Sequence, residues 1–508
     1  MADTKREIER KYESDESGLP DLTGVAGVET VIDKGVANLD AVYYDTADER
    51  LAKASMTLRR RTGGSDAGWH LKVPVAPGVR DEIREPLSDT VPRTLAGLVR
   101  SRVREAELLP VVRLRSDRDV RHLVDADGTL LAEVSVDAVR AERLADGGAT
   151  AQWTEIEVEL ADDGDPAFLD KVEKRLRKAG VRPSSSASKL ARALAETAPK
   201  QPKKAKKSKA SPAPEEPRTA GDHVLAYVRE QRDAILELDP AVRQDAYDSV
   251  HRMRVATRRL RSTFRSYGKV LDRTVTDPVG EELKWLAGEL GVDRDREVMT
   301  ERLTAVLAEL PRTLVSGPIR TRMRTWANAR RGGSRRRLIG VLDSKRYLDL
   351  LDTLDALVAE PPVLPDAAGT PEKVIGKAVR KDFGKVAALV EEAIGAPPGA
   401  DRDLALHEAR KKAKRTRYAA EAATPALGEP ARGLAKSMKS LTSLLGEHQD
   451  SVMVREILRE LSAVAHAAGE SSFTYGVLYG REEQRAAAVE AALPEAWQAI
   501  VAEGSVQG

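Results

Sequence analysis

The sequence predicts an α+β protein of more than one domain, because the spacing of its hydrophobic residues changes once along 508 residues. Up to residue 197, short segments of alternating apolar and polar residues are separated by Gly and Asp clusters, a pattern typical of antiparallel strands. From residue 220 onward, apolar residues recur at helical spacings of three and four. Residues 198–219 are rich in Pro, Lys, Ala and Ser, which predicts a flexible linker. We therefore expect a β-rich domain at 1–197 and an all-α domain at 220–508.

The elements of the first domain are placed by local pattern. The clearest alternating segments, predicted as strands, are Glu7–Tyr12, Thr57–Arg61, Trp69–Val73 and Trp153–Leu160. Peripheral helices are predicted near Asp21–Val31, Thr94–Val103 and Asp165–Ala179.

The helical domain carries an internal repeat. The segment His251–Arg261 lines up with His407–Arg417, and further along Leu290–Asp295 lines up with Leu445–Asp450. Two matched blocks in the same order predict two related helical-bundle halves that pack face to face.

The composition narrows the function classes. Lys and Arg number 83 against 81 Asp and Glu, so the formal charge of +2 indicates no partner by itself. The informative feature is the local segregation of the two signs. Aromatic residues make up only 4% of the chain, which argues against a surface that stacks nucleic-acid bases.

Cysteine is absent, which excludes disulfides, thiolate nucleophiles and thiolate metal sites. The first residues contain no apolar signal segment, and no segment approaches the roughly 20 apolar residues that a membrane span needs. We therefore expect a soluble, cytoplasmic protein without a membrane partner.

Two predicted strands carry rows of carboxylates on one face. Because alternate side chains of a strand share a face, Glu7 and Glu9 point the same way on one strand, as do Glu155, Glu157 and Glu159 on another. Carboxylates this close repel one another unless a cation lies among them. Mg²⁺ and Mn²⁺ prefer such oxygen ligands, so these faces predict a divalent-metal site.

Cationic residues follow the same alternation on other strands. They are Arg59, Arg61, Lys72, Arg113, Arg115 and, further on, Lys189. If the sheet closes into a barrel, its lumen would have a carboxylate wall and an Arg/Lys wall. Such a lumen suits a polyphosphate, whose oxygens guanidinium groups bind in pairs. For any one strand, the alternative is a solvated face with cross-strand Glu–Arg pairs.

These motifs resemble the CYTH domain of the triphosphate tunnel metalloenzymes. The segment Glu7–Lys11 matches the ExExK signature of that family. The segments that resemble its later motifs, in the expected order, are Tyr43–Thr46, Leu58–Arg61, Leu71–Lys72, Glu155–Leu160 and Ser188–Lys189. The resemblance covers residues 1–197 and implies an eight-stranded antiparallel tunnel that binds and hydrolyses triphosphate with Mg²⁺ or Mn²⁺.

The resemblance also implies the roles of individual residues. Metal would be held by Glu7, Glu9, Glu157 and Glu159, with Glu155 and Asp137 as further members. The phosphates would be held by Lys11, Arg59, Arg61, Lys72, Arg113, Arg115 and Lys189. The residues predicted to be catalytic are Glu7, Glu9, Lys11, Glu157 and Glu159. We interpret His70 and His122, which lie in ordinary strand contexts, as structural rather than as general bases.

The repeated helices each carry a cationic stripe. In the first copy the stripe is His251, Arg254, Arg258, Arg261 and Arg265. In the second copy it is His407, Arg410, Lys414 and Arg417, with Glu421 at the position of Arg265. Cations without acidic partners at i±4 repel one another, so two facing stripes predict a long positive groove.

This repeat resembles the CHAD domain, the conserved-histidine α-helical domain, over about residues 220–505. The resemblance implies that the groove binds inorganic polyphosphate. Glu421 departs from the repeat, so the two halves need not bind equally well. The acid-free segment Pro311–Leu342, which is rich in arginine, is either further polyanion-binding surface or an exposed basic face.

The sequence favours a cytoplasmic hydrolase of inorganic triphosphate with a polyphosphate-binding helical module, associated with polyphosphate granules. Hydrolysis of thiamine triphosphate or cyclisation of ATP in the same tunnel stays open, since no base or thiamine pocket is identifiable. A non-catalytic scaffold for polyphosphate granules is a further alternative, but pure anion binding gains nothing from the carboxylates. Nucleic-acid binding by the arginine stripes is also open, and the scarcity of aromatic residues argues against it.

Overall fold

The computed structural model describes residues 3–14, 18–144, 148–198, 217–328 and 331–505, without the side chains of 292–297, 331–334 and 503–505. The chain divides into two compact units, Met1–Ala210 and Ser211–Gly508. Most of the predicted linker at 198–219, including its lysines, lies outside the described residues.

The first unit is built mainly from strands. Its strands are β1 Asp3–Glu13, β2 Thr30–Asp45, β3 Thr57–Thr62, β4 Gly68–Ala76, β5 Val79–Glu85, β6 Leu109–Val124, β7 Leu130–Arg143, β8 Thr150–Leu160 and β9 Arg182–Pro183. Its helices are α1 Arg50–Lys53, α2 Arg93–Val103, α3 Ala167–Lys178 and α4 Lys189–Glu196.

Eight of these strands close into an antiparallel barrel. Neighbours run in the order β5-β4-β3-β2-β6-β7-β8-β1. Strand β1 completes the circle because its residues Asp3–Ile8 pair with β5 while Glu9–Glu13 pair with β8. The predicted eight-stranded tunnel is therefore confirmed, and its interior is lined by one side-chain set of each strand.

Three apolar clusters hold the barrel. One packs α2 on the outer face of β3–β5, and another packs α3 on the outer face of β1, β7 and β8. The third joins Leu190 and Leu194 of α4 to Leu114, Val139 and Trp153. These three strand residues share faces with the residues that line the lumen, so α4 closes one end of the barrel from inside.

The helix predicted near Asp21–Val31 is wrong. Residues 21–29 are not helical, with turns and a bend at 23–27, and the chain enters β2 at Thr30. Gly24 and Gly27 adopt positive φ angles of 79° and 92°, a conformation that ends any helical run. The helices predicted near Thr94–Val103 and Asp165–Ala179 are confirmed as α2 and α3.

The second unit is helical. Its helices are α5 Ala220–Arg243, α6 Ser249–Ser266, α7 Arg273–Glu289, α8 Val292–Ala308, α9 Ile319–Asn328, α10 Arg331–Leu342, α11 Lys345–Ala359, α12 Pro371–Gly395, α13 Ala400–Leu427, α14 Glu429–Ala467 and α15 Phe473–Ser505. Two short 3₁₀ turns lie at Arg312–Leu314 and Pro365–Ala368. Within the described part of the chain, no helix is both long enough and apolar enough to span a bilayer.

The internal repeat is visible in three dimensions as two related helical halves. Helix α6 packs between α5 and α7 in the first half, and α13 packs between α12 and α14 in the second. The two repeat helices, α6 and α13, also pack against each other. The first half breaks at Gly291, between α7 and α8, whereas the matched Gly446 lies inside the continuous helix α14. Apolar residues of both halves share one core.

Candidate functional site

The barrel encloses a charged cavity of about 650 Å³. Ten of its lining side chains are cationic and seven are anionic, so a polyanion entering it meets a net positive surface. Among the residues that line it are Glu7, Glu9, Lys11, Arg59, Arg61, Lys72, Glu157, Glu159 and Lys189. All of these were predicted from the sequence, and the structure brings them together in one lumen.

The carboxylates of β1 each meet an ammonium group. Lys72 Nζ lies 2.5 Å from Glu7 Oε2, and Lys11 Nζ lies 3.2 Å from Glu9 Oε1. Burial disfavours the Glu9 carboxylate, but Lys11 and Lys72 outweigh burial and lower its pKa to about 2. For Glu7 the balance is the opposite, since burial and the neighbouring carboxylates of Glu82 and Glu159 raise its pKa despite Lys72.

A second acidic cluster lies on β7 and β8. Oxygens of Asp137, Glu155 and Glu157 lie within 4.8 Å of one another, and all three residues are buried. Lys189 Nζ, at the first residue of α4, reaches Asp137 at 3.0 Å, Glu155 at 2.8 Å and Glu157 at 2.6 Å. Burial works against the Lys189 ammonium, but these carboxylates outweigh it and raise the pKa of Lys189.

The cationic wall is held in place by acidic and phenolic partners. Arg118 donates to Asp137 Oδ1 and Oδ2 at 2.7 and 2.8 Å and to Glu157 Oε2 at 2.8 Å. Arg59 Nη2 lies 3.5 Å from Glu82 Oε1, and its Nη1 donates to the Tyr43 hydroxyl at 3.4 Å. Burial and the nearby guanidinium groups of Arg59 and Arg118 lower the pKa of Arg61 to about 9. An anion between these arginines would relieve their mutual repulsion.

In the helical unit, α6 and α13 face each other across a cationic groove. The groove encloses a cavity of about 180 Å³. Its lining residues are Arg258, Arg261, Ser262, Arg265, Lys411, Lys412, Lys414, Arg415 and Tyr418. The structure thus brings four of the predicted stripe residues into one cavity, which confirms that the two stripes face each other.

Comparison with known proteins assigns both units. The family model described as CYTH domain matches residues 5–194, and the model described as CHAD domain matches residues 226–459. Two uncharacterized proteins, from two strains of Mycobacterium tuberculosis, are each 40% identical over 492 residues, covering 94% of this chain and 92% of the relative. The chain belongs to the CYTH–CHAD family. Members of the CYTH superfamily are metal-dependent triphosphatases or cyclases.

Solved structures similar to this CYTH–CHAD protein match it in part. PptA from Streptomyces chartreusis is 20% identical with a TM-score of 0.46, covering 55% of this chain and 99% of PptA. The CHAD domain from the plant Ricinus communis is 24% identical with a TM-score of 0.43, covering 54% of this chain and 92% of that domain.

Arg113 and Arg115 of the CYTH domain do not line the tunnel, contrary to the prediction. Both point outwards, where Arg113 bonds Asp40 Oδ1 at 2.9 Å and Arg115 lies 3.7 Å from Asp40 Oδ2. On β6 the inward set contains Leu114 and Arg118. The prediction failed because the inward face of β6 is partly apolar: Leu114 belongs to the core under α4, which lies inside the barrel.

Several tunnel residues were missed. The missed charged residues are Lys5, Lys34, Asp66, Arg80, Glu82, Arg84, Arg118 and Glu133. The alternation of side chains along a strand would have identified Lys5, which lies on the same face of β1 as Glu7. The same alternation puts Arg80, Glu82 and Arg84 on one face of β5. The sequence does not show which face of β6 points into the lumen, because both faces carry charged residues.

The two histidines of the CYTH domain differ in their surroundings. His70 is buried, with Nδ1 2.9 Å from Glu82 Oε1 and Nε2 2.9 Å from the carbonyl oxygen of Asp66. Both nitrogens therefore have partners, and the ring orients the Glu82 carboxylate. His122 lines the cavity, 3.3 Å from Glu133 Oε2.

The acidic residues fit a hard divalent cation. All of the donors are carboxylate oxygens, which Mg²⁺ and Mn²⁺ prefer. Burial and the adjoining carboxylates of Glu82 and Glu159 raise the pKa of Glu7, and a divalent cation bound there would relieve the repulsion among these carboxylates. Asp137 and Glu155, predicted as further ligands, lie behind the lining and bind Lys189.

The remaining stripe residues of the CHAD domain lie at the margins of the groove. A Cβ atom on Gly291 would meet the guanidinium of Arg254 at 2.7 Å, and one on Gly446 would meet that of Arg410 at 3.4 Å. Arg254 and Arg410, which are equivalent in the two repeat copies, therefore each pack against the equivalent glycine of their own half. His251 is exposed, and His407 Nδ1 contacts the side-chain oxygen of Gln449.

Glu421, the departure from the repeat, neutralises part of the second stripe. It lies 2.9 Å from Arg259 and 3.3 Å from Arg417. Arg417 also stacks on Tyr418, with its guanidinium carbon 4.6 Å from the ring centroid, and it does not line the cavity.

Much of the acid-free segment Pro311–Leu342 is tied into the fold. Arg322 pairs with Glu470 at 2.7 Å, Arg337 pairs with Glu289 at 2.8 Å, and Arg335 donates to the carbonyl oxygens of Val242 and Arg243. These three arginines therefore have structural partners. Arg330 and the side chain of Arg331 lie outside the described residues.

Proposed function

We propose that the CYTH domain hydrolyses inorganic triphosphate with Mg²⁺ or Mn²⁺, and that the CHAD domain binds inorganic polyphosphate. The single observation that supports the first proposal is the cavity itself, in which a carboxylate wall and an Arg/Lys wall face one lumen. A polyphosphate that binds together with a divalent cation would match both walls, whereas a bare anion would match only one.

The protein supplies fixed charge and position for this reaction. Arg118, clamped by Asp137 and Glu157, presents the rest of its guanidinium to the lumen without needing to reorganise. Lys11, Arg59 and Lys72 would bind the other phosphate oxygens. The divalent cation would be held by Glu7, Glu9, Glu157 and Glu159, and when bound it neutralises phosphate oxygens and lowers the pKa of a bound water.

Inorganic triphosphate is the preferred substrate because of what lines the cavity. Tyr43 is the one Phe, Trp or Tyr among the described lining residues, and its hydroxyl accepts a hydrogen bond from Arg59. Recognition of an adenine or thiazolium group draws on aromatic stacking, which this lumen does not favour. ATP and thiamine triphosphate are therefore expected to be poorer substrates.

The two faces of β6 give a matched test of the tunnel assignment. We expect Arg118→Ala to lower kcat/KM for triphosphate by about 100-fold and Arg113→Ala to change it by less than about twofold. Phosphate release is measured for both variants together with thermal unfolding. Arg118→Lys keeps the charge but loses the planar fork, so it should fall between Arg118→Ala and the unsubstituted protein. Equal effects at positions 113 and 118 would refute the register.

The proposal for the CHAD domain is supported by the groove between α6 and α13. Among the residues whose side chains are described, every charged one that lines its cavity is cationic. A linear polyanion is the ligand that neutralises such a row, and its repeating charge requires no side-chain pattern beyond the row itself.

Two groove arginines test polyphosphate binding. The double variant Arg258→Ala/Arg261→Ala is expected to weaken binding by at least about tenfold. The slope of log K against log salt should become shallower by roughly one for each phosphate that the variant no longer neutralises. The control, Arg273→Ala/Lys345→Ala, removes two charges from exposed helix positions and should leave both quantities unchanged. Similar losses of affinity in both variants would show that only overall charge matters.

A further inference from the structure

Lys414 lies at the centre of the cationic groove, where the two repeat helices meet. It lines the cavity beside Arg258 of α6 and Lys411 of its own helix. Among the residues whose side chains the structure describes, no carboxylate forms an ion pair with it.

The described charged groups that act on Lys414 lie on three helices. Arg254 and Arg258 approach from α6, and Arg410 and Arg417 lie on α13 itself. From α14, Asp450 is the acidic group that faces it. Burial and these four guanidinium groups lower the pKa of Lys414 to about 7.

Without a bound anion, the repulsion among these cationic groups can be lowered only if one of them loses its proton. A guanidinium group ordinarily loses its proton only far above neutral pH, whereas a lysine ammonium gives its proton up more readily when it is buried among like charges. Lys414 is therefore the group whose charge responds. A bound polyanion reverses the sign of its surroundings and restores the charged form.

We propose that polyanion binding in this groove is proton-linked, with Lys414 uncharged in the empty groove at mildly alkaline pH and taking up one proton when a polyphosphate chain binds. This inference rests on the proposed polyphosphate binding by the CHAD domain. Its consequence is a groove that holds polyphosphate tightly near neutral pH and releases it as the pH rises.

The sign of the linkage fixes the expected pH profile. Below the free-state pKa of about 7, Lys414 is already charged and binding takes up no proton there. Above it, and below the higher pKa of the bound state, each complex takes up one proton, so affinity falls by about tenfold per pH unit. This window lies above the range in which histidine ordinarily titrates.

The test uses the full chain, long-chain inorganic polyphosphate and constant ionic strength between pH 7.5 and 9.5. We expect the affinity of the unsubstituted protein to fall by about tenfold per pH unit and that of Lys414→Arg, whose charge is permanent, to stay level. Calorimetry at pH 8 in two buffers of different ionisation enthalpy should show that the unsubstituted protein takes up nearly one proton on binding polyphosphate. Lys414→Arg should take up almost none. The tunnel is the same in both, so the difference reports on the groove.

Lys412 provides a matched comparison. It lines the same cavity, and its pKa is also lowered by burial, Arg415 and Lys385, but the carboxylates of Glu408 and Asp382 oppose this. Lys412→Arg is therefore expected to keep the pH dependence of the unsubstituted protein. A level profile in the unsubstituted protein, or a slope that persists in Lys414→Arg, would overturn the inference. Absence of polyphosphate binding at every pH would instead overturn the proposed function, and this inference with it.

Discussion

Glu9→Gln is expected to lower metal-dependent phosphate release from triphosphate by at least about 100-fold while leaving polyphosphate binding by the CHAD domain unchanged. Lys11 and Lys72 keep the pKa of Glu9 near 2 against the effect of burial, so the residue is a carboxylate at every working pH. The amide has the same shape but cannot supply the negative charge that a divalent cation needs. Affinity for the metal should fall, whereas affinity for triphosphate should not, since a charge that repels phosphate has been removed.

The control for Glu9→Gln is Glu29→Gln, the same substitution at an exposed position outside the cavity. It should leave phosphate release and metal affinity unchanged. If Glu9→Gln keeps activity within a factor of a few, the carboxylate wall is not part of the machinery. If it abolishes polyphosphate binding as well, the division of labour between the two domains is wrong.

Lys189→Met is expected to lower the free energy of unfolding of the CYTH domain by about 3 kcal/mol, because it removes the one ammonium group that contacts all three carboxylates of a buried acidic cluster. The Lys189 ammonium group pairs with Asp137, Glu155 and Glu157 together, and the Lys189 side chain is only 9% exposed. Arg118 still pairs with Asp137 and Glu157 in the variant. Glu155 would keep only its hydrogen bond from Trp153 Nε1.

Chemical denaturation followed by circular dichroism measures this destabilisation. Lys178→Met, at an exposed position on α3, is the matched substitution and should cost less than about 0.5 kcal/mol. Adding Asp137→Asn to Lys189→Met should recover part of the stability, since one buried charge is removed. A Lys189→Met protein as stable as the Lys178→Met control would show that the cluster does not depend on Lys189.

The fold could be predicted where local pattern and tertiary packing agree. Strands β1 and β8 alternate without interruption, so the shared faces of Glu7 and Glu9 and of Glu157 and Glu159 follow from the sequence. The repeat predicted two facing helical halves because two matched sequence blocks recur in the same order. The helix predicted near Asp21–Val31 failed because two glycines with positive φ angles turn the chain there.

The tunnel residues could be predicted where the interior of the barrel is polar, but not where the interior is partly apolar. At the end closed by α4, Leu114 and Trp153 point inwards, so hydrophobicity no longer marks the outer face. That is why Arg113 and Arg115 were placed in the lumen and Arg118 was missed. In the groove, Lys411, Lys412 and Arg415 were missed because the cavity also takes in the neighbouring stripe of α13, which no spacing rule distinguishes from a solvated face.

The most direct measurement is phosphate release by the purified full chain from inorganic triphosphate, ATP and thiamine triphosphate, each with Mg²⁺, with Mn²⁺ and with a chelator. We expect release from triphosphate to require the metal and to exceed release from the two organic triphosphates, because the lumen offers paired charge and little for a base or a thiazolium ring. Release that persists in the chelator, or no release from any of the three, would contradict a metal-dependent triphosphatase in this tunnel.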